Sequence, residues 1–310
     1  MDTLLLSKNA FAAARAFIES QARPLEAARF HSLFDDGPDS AVLAALTAYQ
    51  NEDGGFGRAL EPDLRAEESS ALCTSIAFQV LRSVGAPADH PLVVGGIEFL
   101  LRSLDVERAQ WRIVPRSATE SPHAPWWNHT SDEELYRSFS LNPTAEILGY
   151  LYDYRELIAG DLVVRTRDRI FGHLDEAAEL EMHELRCYLR LLRTPRLPSD
   201  SRDRLLEKLF PLVDETVTAD PARLAEYGLH PLDVVDEPAS PFLRGRETAV
   251  AANLDYLITS QGADGSWSPG WSWGEVYPEE WKRARREWSG IITLDGLTTL
   301  KRFGRIEGQA

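Results

Sequence analysis

Glu61-Pro62-Asp63-Leu64-Arg65 places three ionisable groups in five residues directly after a glycine-rich bend. A carboxylic acid held in an aromatic cavity has its pKa raised, the state that a proton donor needs. Asp63 and Glu61 are therefore candidate acids, and Arg65 a candidate substrate-binding group. The structural alternative is a surface loop in which Arg65 pairs with a nearby carboxylate. A second carboxylate group, Asp233-Val-Val-Asp236-Glu237, follows His230-Pro231, and makes Asp233 and Asp236 the other candidate acids. His183 and Cys187 stand four residues apart on one helix face, as two metal ligands could. C-x-x-C zinc spacing is absent, so core packing is expected at Cys187, no metal is assigned, and His183 is kept as a candidate substrate-binding residue. The strings S-P-H-A-P-W-W-N-H and W-S-P-G-W-S-W concentrate aromatic side chains in loops. Aromatic faces pack apolar chains and stabilise positive charge. His123, Trp126, Trp127, Trp271, Trp273 and Trp281 are accordingly expected to line a binding cavity.

These residues need a scaffold, and helical periodicity dominates the rest of the chain. The pattern predicts helices over 7–20, 39–50, 69–84, 91–102, 142–157, 161–176, 181–192, 201–217, 246–260 and 289–303. Shorter ones are expected at 25–33 and 221–227, giving ten to twelve in antiparallel pairs. Ser69 or Ser70 is an expected N-cap, as is Asp39 after Pro38; Asn142-Pro143 reads as a helix start. The segments 54–68, 104–131, 228–243 and 262–288 do not read as helix, and long structureless connections of this kind are often functional. No composition break divides the chain, so one domain over 1–310 is expected.

One helix-to-turn unit recurs. Tyr256-Leu257 is followed by Gln261, Gly265 and Trp267; Leu46 to Gln50 runs into Gly54 and Phe56; a third, eroded copy has Gly96, Phe99 and Leu100, then Leu104 where glutamine is expected, and ends at Trp111. The first resembles, at every named position, the QW motif of the squalene cyclase and protein prenyltransferase superfamily. A glutamine amide can tie backbone groups of neighbouring helix ends while the aromatic packs over it. The resemblance implies an all-α fold, an α/α toroid built as a single ring of five to six helical hairpins around a central cavity. It also implies catalytic marks that this sequence lacks. No D-x-D-D occurs. Asp35-Asp36-Gly37-Pro38-Asp39 matches D-D-x-x-D as a string, but Gly37-Pro38 breaks any helix there and a turn followed by a helix cap is expected. The D-x-C segment that accompanies the family's zinc site is also missing.

Composition narrows the partners. The 33 basic and 49 acidic residues give a net charge of −16, a field that repels nucleic acid and anionic membrane surfaces. The basic run Lys282 to Arg286 reads as a solvated helix face. Two cysteines within helical patterns are expected to be buried free thiols of a reducing compartment. The N-terminus lacks signal-peptide regions and no run is long enough to cross a bilayer, so a cytoplasmic protein is expected. The G-x-S-x-G, G-x-G-x-x-G, P-loop and H-E-x-x-H patterns are absent. The leading expectation is a terpenoid cyclase-like or prenyl-substrate enzyme with a small apolar or isoprenoid substrate and a non-standard carboxylic acid as proton donor. No cofactor is expected, Mg²⁺ entering only with a bound diphosphate. One alternative is a carbohydrate-active toroid, glycosidase or lyase, using paired carboxylates and tryptophan platforms. Another is a non-catalytic toroid that binds an apolar ligand or a protein.

Overall fold

The computed structural model describes residues 3–309, and among these the chain is all-α apart from one two-stranded ladder. The helices in chain order are α1 (Lys8–Gln21), α2 (Pro24–Phe34), α3 (Asp39–Thr47), α4 (Ala71–Ser83), α5 (Pro91–Ser103), α6 (Asp132–Phe139), α7 (Thr144–Asp153), α8 (Leu162–Glu176), α9 (Met182–Leu192), α10 (Ser199–Thr216), α11 (Pro231–Val234), α12 (Glu247–Thr259) and α13 (Pro278–Arg302). Strands β1 (Leu104–Asp105) and β2 (Gln110–Trp111) pair antiparallel, Leu104 opposite Trp111. No helix of the described residues is long and apolar enough to cross a membrane.

The chain divides into two compact units. One joins the segment up to Ala45 with everything from Val217 on; the other is Leu46–Thr216. In the first unit α1 packs on α2 and α13, α2 on α13, and α11 on α12. In the second, α7 is the hub, with α4, α8 and α9 against it, α5 on α4 and α10 on α9. Every residue of α7 from Thr144 to Leu151 is buried, as a helix surrounded by other helices must be. One of them, Glu146, carries a charge. Arg190 of α9 meets it at 2.9 Å and the Tyr150 hydroxyl donates to it, so the carboxylate is paired rather than stranded. Burial and then Glu146 push the Tyr150 phenol well above its ordinary range. Arg82 of α4 lies 4.5 Å over the Tyr150 ring and pairs with Asp153 at 2.7 Å. A charged and aromatic network thus joins α4, α7 and α9.

The three recurring turns share a set of hydrogen bonds. Each buries its aromatic residue, Phe56, Trp111 or Trp267. Each donates that residue's backbone N–H to a buried threonine hydroxyl on a later helix: Phe56 to Thr74 at 3.1 Å, Trp111 to Thr144 at 3.1 Å, Trp267 to Thr293 at 3.0 Å. The two indoles donate further, Trp111 to the Leu100 carbonyl at 2.7 Å and Trp267 to the Leu257 carbonyl at 2.8 Å. The glutamine amides tie the turns to a neighbouring helix start. Gln50 bonds the carbonyls of Gly54 (2.9 Å) and of Leu92 in α5 (3.2 Å); Gln261 bonds those of Gly265 (2.8 Å) and of Ala10 in α1 (3.0 Å). The glycine is required by two constraints at once. Gly54 and Gly265 have φ of +82° and +87°, and a Cβ on either would sit 2.4 Å from the backbone of Gly95 or Ala13. In the third turn the residue two before the aromatic is Ala109, which adopts φ +49° without being glycine. Leu104 stands opposite Trp111 as Gln50 stands opposite Phe56.

Several element boundaries differ from the sequence pattern, and the short α11 forms in a stretch expected as loop. Ser70 caps α4 as expected, its hydroxyl accepting from the Cys73 N–H. Helix α13 starts at Pro278 rather than near 289, because Glu279, Glu280 and the pairs Lys282–Glu279 and Arg283–Glu287 support a helical first half. The Lys282 to Arg286 run is therefore helical, and Gly290 further along α13 lets the helix approach Ala22, where a Cβ would come within 2.7 Å. Helix α6 forms inside the long 104–131 loop's continuation, started by Ser131 accepting from the Glu134 N–H and by three acids in its first turn. Helix α7 begins at Thr144, with Pro143 rather than Asn142 at the cap position. The stretch expected as a helix at 221–227 is only a single 3₁₀ turn, Pro221–Arg223.

Two measurements test the turn geometry. Ala109→Gly removes a left-handed residue's steric cost and is expected to stabilise by about 1 kcal/mol, a Tm rise of roughly 2 °C in thermal unfolding. Thr293→Val leaves the buried Trp267 N–H without its acceptor and is expected to cost about 1–3 kcal/mol. A Thr293→Val protein as stable as the parent would show that this bond contributes nothing.

Candidate functional site

The 61–65 segment is not a surface loop. Glu61, Pro62, Asp63 and Leu64 are all buried, with Asp63 at 2 % exposure. A buried loop must find partners for its backbone, and it does so against the histidine- and tryptophan-rich segment. Leu64 bridges His123 antiparallel, the Arg65 N–H donates to the Pro122 carbonyl at 3.0 Å, and the Ala124 N–H donates to the Asp63 carbonyl at 2.9 Å. Two stretches singled out separately in the sequence thus form one short ladder in the second unit. The turn that feeds it is tight: Arg58 and Ala59 adopt φ of +53° and +58°, and a Cβ on Gly57 would lie 2.3 Å from the Glu68 carbonyl oxygen.

His123 is 4 % exposed. Its Nδ1 faces the Ser121 carbonyl and its Nε2 lies 2.8 Å from Asn128 Oδ1. The Asn128 amide nitrogen donates to the Pro125 carbonyl at 3.0 Å, which turns its oxygen toward the histidine. Both ring nitrogens therefore face acceptors. Asn128 was not singled out by residue type, although it sits in the same W-W-N-H string. The ladder places Glu61, Asp63 and His123, all buried, along adjacent backbone. Arg65 is half-buried and reaches the Pro62 carbonyl at 3.4 Å.

The two adjacent tryptophans part company. Trp127 is buried and stacks on Phe139 at 5.1 Å, whereas Trp126 is 39 % exposed. They do not line one wall together. His129 donates from Nδ1 to the Trp127 carbonyl at 2.8 Å, leaving Nε2 for Arg112 at 2.9 Å. Asp132 holds Arg112 at 3.1 Å and Arg116 at 2.7 Å, and the Arg116 hydrogen bond keeps its carboxyl below the usual range. These pairs tie the two ends of the 112–132 segment together.

His183 is exposed in the first turn of α9, its N–H donating to Glu181, while Cys187 one turn on is buried and its thiol donates to Asn142 Oδ1 at 3.4 Å. The two point to different surroundings and do not pair as ligands. Among the described residues the one His, Cys, Asp and Glu group close enough to share an ion is Glu19, His31 and Asp35, all exposed. Arg15 already forks onto Asp35 at 2.6 and 2.8 Å, and His31 lies at 2.8 Å. Asp39 in the same D-D-x-x-D string accepts from Ser32 at 2.6 Å. The string is a turn and helix start, as its Gly37-Pro38 required.

The remaining candidates belong to the first unit. Asp233 accepts the His230 N–H at 2.7 Å, the capping contact of α11. Asp236 meets Arg302 of α13 at 3.3 Å. Both carboxylates are thus used in holding helices, which speaks for structural roles in place of the acid roles expected from D-V-V-D-E. Trp273 is buried against Trp281 with ring centroids 5.7 Å apart. Trp271 lies edge-on to Trp288 at 5.1 Å and to the 58 %-exposed Tyr227 at 5.9 Å. Aromatic cross-packing of this kind stabilises the loop itself.

The charged pair that sequence reasoning missed is the buried Glu146 with its half-buried partner Arg190. Their signal was present, since Glu146 is one acid inside the apolar run T-A-E-I-L-G-Y-L. Neither a protein-family model nor a curated protein matches this chain.

The cysteines give a direct check on this unit. Burial, and secondarily Glu146, push the Cys187 thiol well above its usual range, so it stays protonated and unreactive at pH 8. Cys73 is buried too. Neither should react with an aromatic disulfide reagent on the minute scale until the protein is unfolded, when both should titrate together.

Proposed function

We propose that the protein is an enzyme of the α/α-toroid, QW-repeat type, acting by acid–base chemistry on a small apolar substrate of the isoprenoid kind, with Asp63 as proton donor. The observation that carries this reading is the burial of Glu61 and Asp63 on a loop that is laddered to His123. Carboxyl groups are seldom fully buried, and titratable groups clustered in buried loops mark functional sites. The alternative acids Asp233 and Asp236 are occupied as a helix cap and an ion pair. Helices tied at their turns through Gln50 and Gln261 support the toroid reading, as does the resemblance of the Tyr256 to Trp267 motif to the QW repeat.

In this reading Asp63 delivers a proton to an alkene carbon, and Glu61 and His123 hold the loop and the charge balance around it. Trp126, on the exposed side of the ladder, offers an aromatic face to the substrate or to the cation that protonation leaves behind. The test is conversion of a panel of prenyl diphosphates and polyprenes, read by mass spectrometry. Asp63→Asn is expected to lower any turnover by about 10²–10⁴-fold, the usual contribution of a general acid. Asp236→Asn should change it by no more than a few-fold. Absence of both binding and conversion across the panel would remove the isoprenoid assignment. Turnover that survives Asp63→Asn would remove the acid.

A further inference from the structure

On the second unit, away from the 61–65 ladder, the turn of the third repeat, the end of α6 and the face of α8 enclose an open cavity of about 480 Å³. Three arginines line it, Arg108, Arg137 and Arg169. Arg108 is committed: it meets Glu133 at 2.6 Å and lies 4.9 Å over the Tyr136 ring. Arg137 and Arg169 make no hydrogen bond or ion pair among the described residues. In a chain with 49 acidic and 33 basic residues, three arginines against two glutamates in one lining are a local reversal of the overall charge, although Glu134, three residues before Arg137, acts on it through space. Glu107 is the one acid of the cavity besides Glu133, so the lining keeps a surplus of positive charge once Arg108 and Glu133 cancel. Tyr136 lines the same space; burial first, then Asp105, pushes its phenol up to about 12, so it remains a neutral donor at any working pH.

The cavity wall is rigid where it is strained. Ser140, directly after α6, adopts φ +47° and ψ −122°, a conformation that non-glycine residues avoid. Such a residue persists only where its surroundings over-determine it, and strain of this kind collects at binding sites. Four contacts hold it. The Gln110 amide donates to its carbonyl, its hydroxyl donates to Glu184 at 3.0 Å, the Leu141 N–H donates to the same carboxylate oxygen at 3.3 Å, and His173 meets that oxygen at 2.9 Å. The Ser140 hydroxyl and the Glu184 carboxylate both meet the same ring nitrogen of His173, Nε2, so the group is a brace and not a nucleophile relay, which would need the acid on the other ring nitrogen.

We propose that this cavity binds a small oxyanion, the phosphate or carboxylate group of a soluble ligand, gripped by Arg137 and Arg169 with Tyr136 as a third donor. Guanidinium groups match the planar, bidentate geometry of such anions, and the charge-assisted bonds that result are the strong ones. The site uses none of the residues assigned to acid chemistry, so Asp63→Asn should leave its anion affinity unchanged.

The test is isothermal titration of the full chain with pyrophosphate, inorganic phosphate and citrate at low ionic strength. Saturable binding of at least one is expected, with the pyrophosphate and citrate arms separating a phosphate site from a carboxylate site. Arg137→Gln and Arg169→Gln should each weaken it by about tenfold or more. Both side chains are exposed and unpaired, so the variants should fold, which thermal unfolding checks. Arg285→Gln in α13, an arginine that also lacks a partner among the described residues, should stay within about twofold of the parent. The proposal is overturned if no anion binds saturably, if Arg137→Gln and Arg169→Gln bind like the parent, or if Arg285→Gln weakens binding as much as they do.

Discussion

The bond on which the architecture turns is the one from an aromatic residue's backbone N–H to a buried threonine hydroxyl. It is made three times, at Phe56, Trp111 and Trp267, and each time it joins a turn to the flank of a later helix. A buried N–H has to be satisfied, and at these sites the supplier is a side chain on a separate element rather than a backbone ladder. The aromatic side chain seals the bond from water, which strengthens it and raises the cost of breaking it. The glutamine above the turn then joins it to a further helix start. One turn thereby fixes the relative placement of three helical segments with a handful of contacts.

The same principle extends to the 61–65 loop. Its backbone leaves the first of these turns and has nowhere to go but inward, because the Gly57 approach to Glu68 and the left-handed residues Arg58 and Ala59 steer it there. Once buried, it can exist only as half of a ladder, and the segment around His123 supplies the other half. The acid cluster is buried as a consequence of how the structural turn ends. Scaffold and candidate site are one continuous stretch of chain, and a change in the turn should be felt at Asp63.

Charge is handled by pairing throughout the second unit. Glu146 with Arg190 and Tyr150, Asp153 with Arg82, Asp132 with Arg112 and Arg116, and Glu184 with His173 and Ser140 each place a carboxylate among donors. Against that background the two unpaired arginines of the Ser140 cavity stand out. Net charge averages over such local differences, so a total of −16 coexists with one cavity whose lining is net positive.

Most of the helices, the Ser70 cap and the repetition of the glutamine turn were legible in the sequence, because each depends on residues within about one turn of one another; α6, α11 and the first half of α13 were not. So was the concentration of acids at 61–65 and of aromatics at 123–129. Their meeting was not legible. Leu64 and His123 are joined by a backbone bridge across the intervening α4, α5 and hairpin, and no local spacing encodes it. Nor could residue type separate Trp126 from Trp127, or show that Asp233 caps a helix while Asp63 lies buried. Thr74, Thr144 and Thr293 follow their aromatic partners by 18, 33 and 26 residues, so no fixed interval marks them. Local periodicity and capping determined which elements this chain forms; which side chains those elements bury together was decided by long-range packing alone, because burial is a property of neighbours that are distant in sequence.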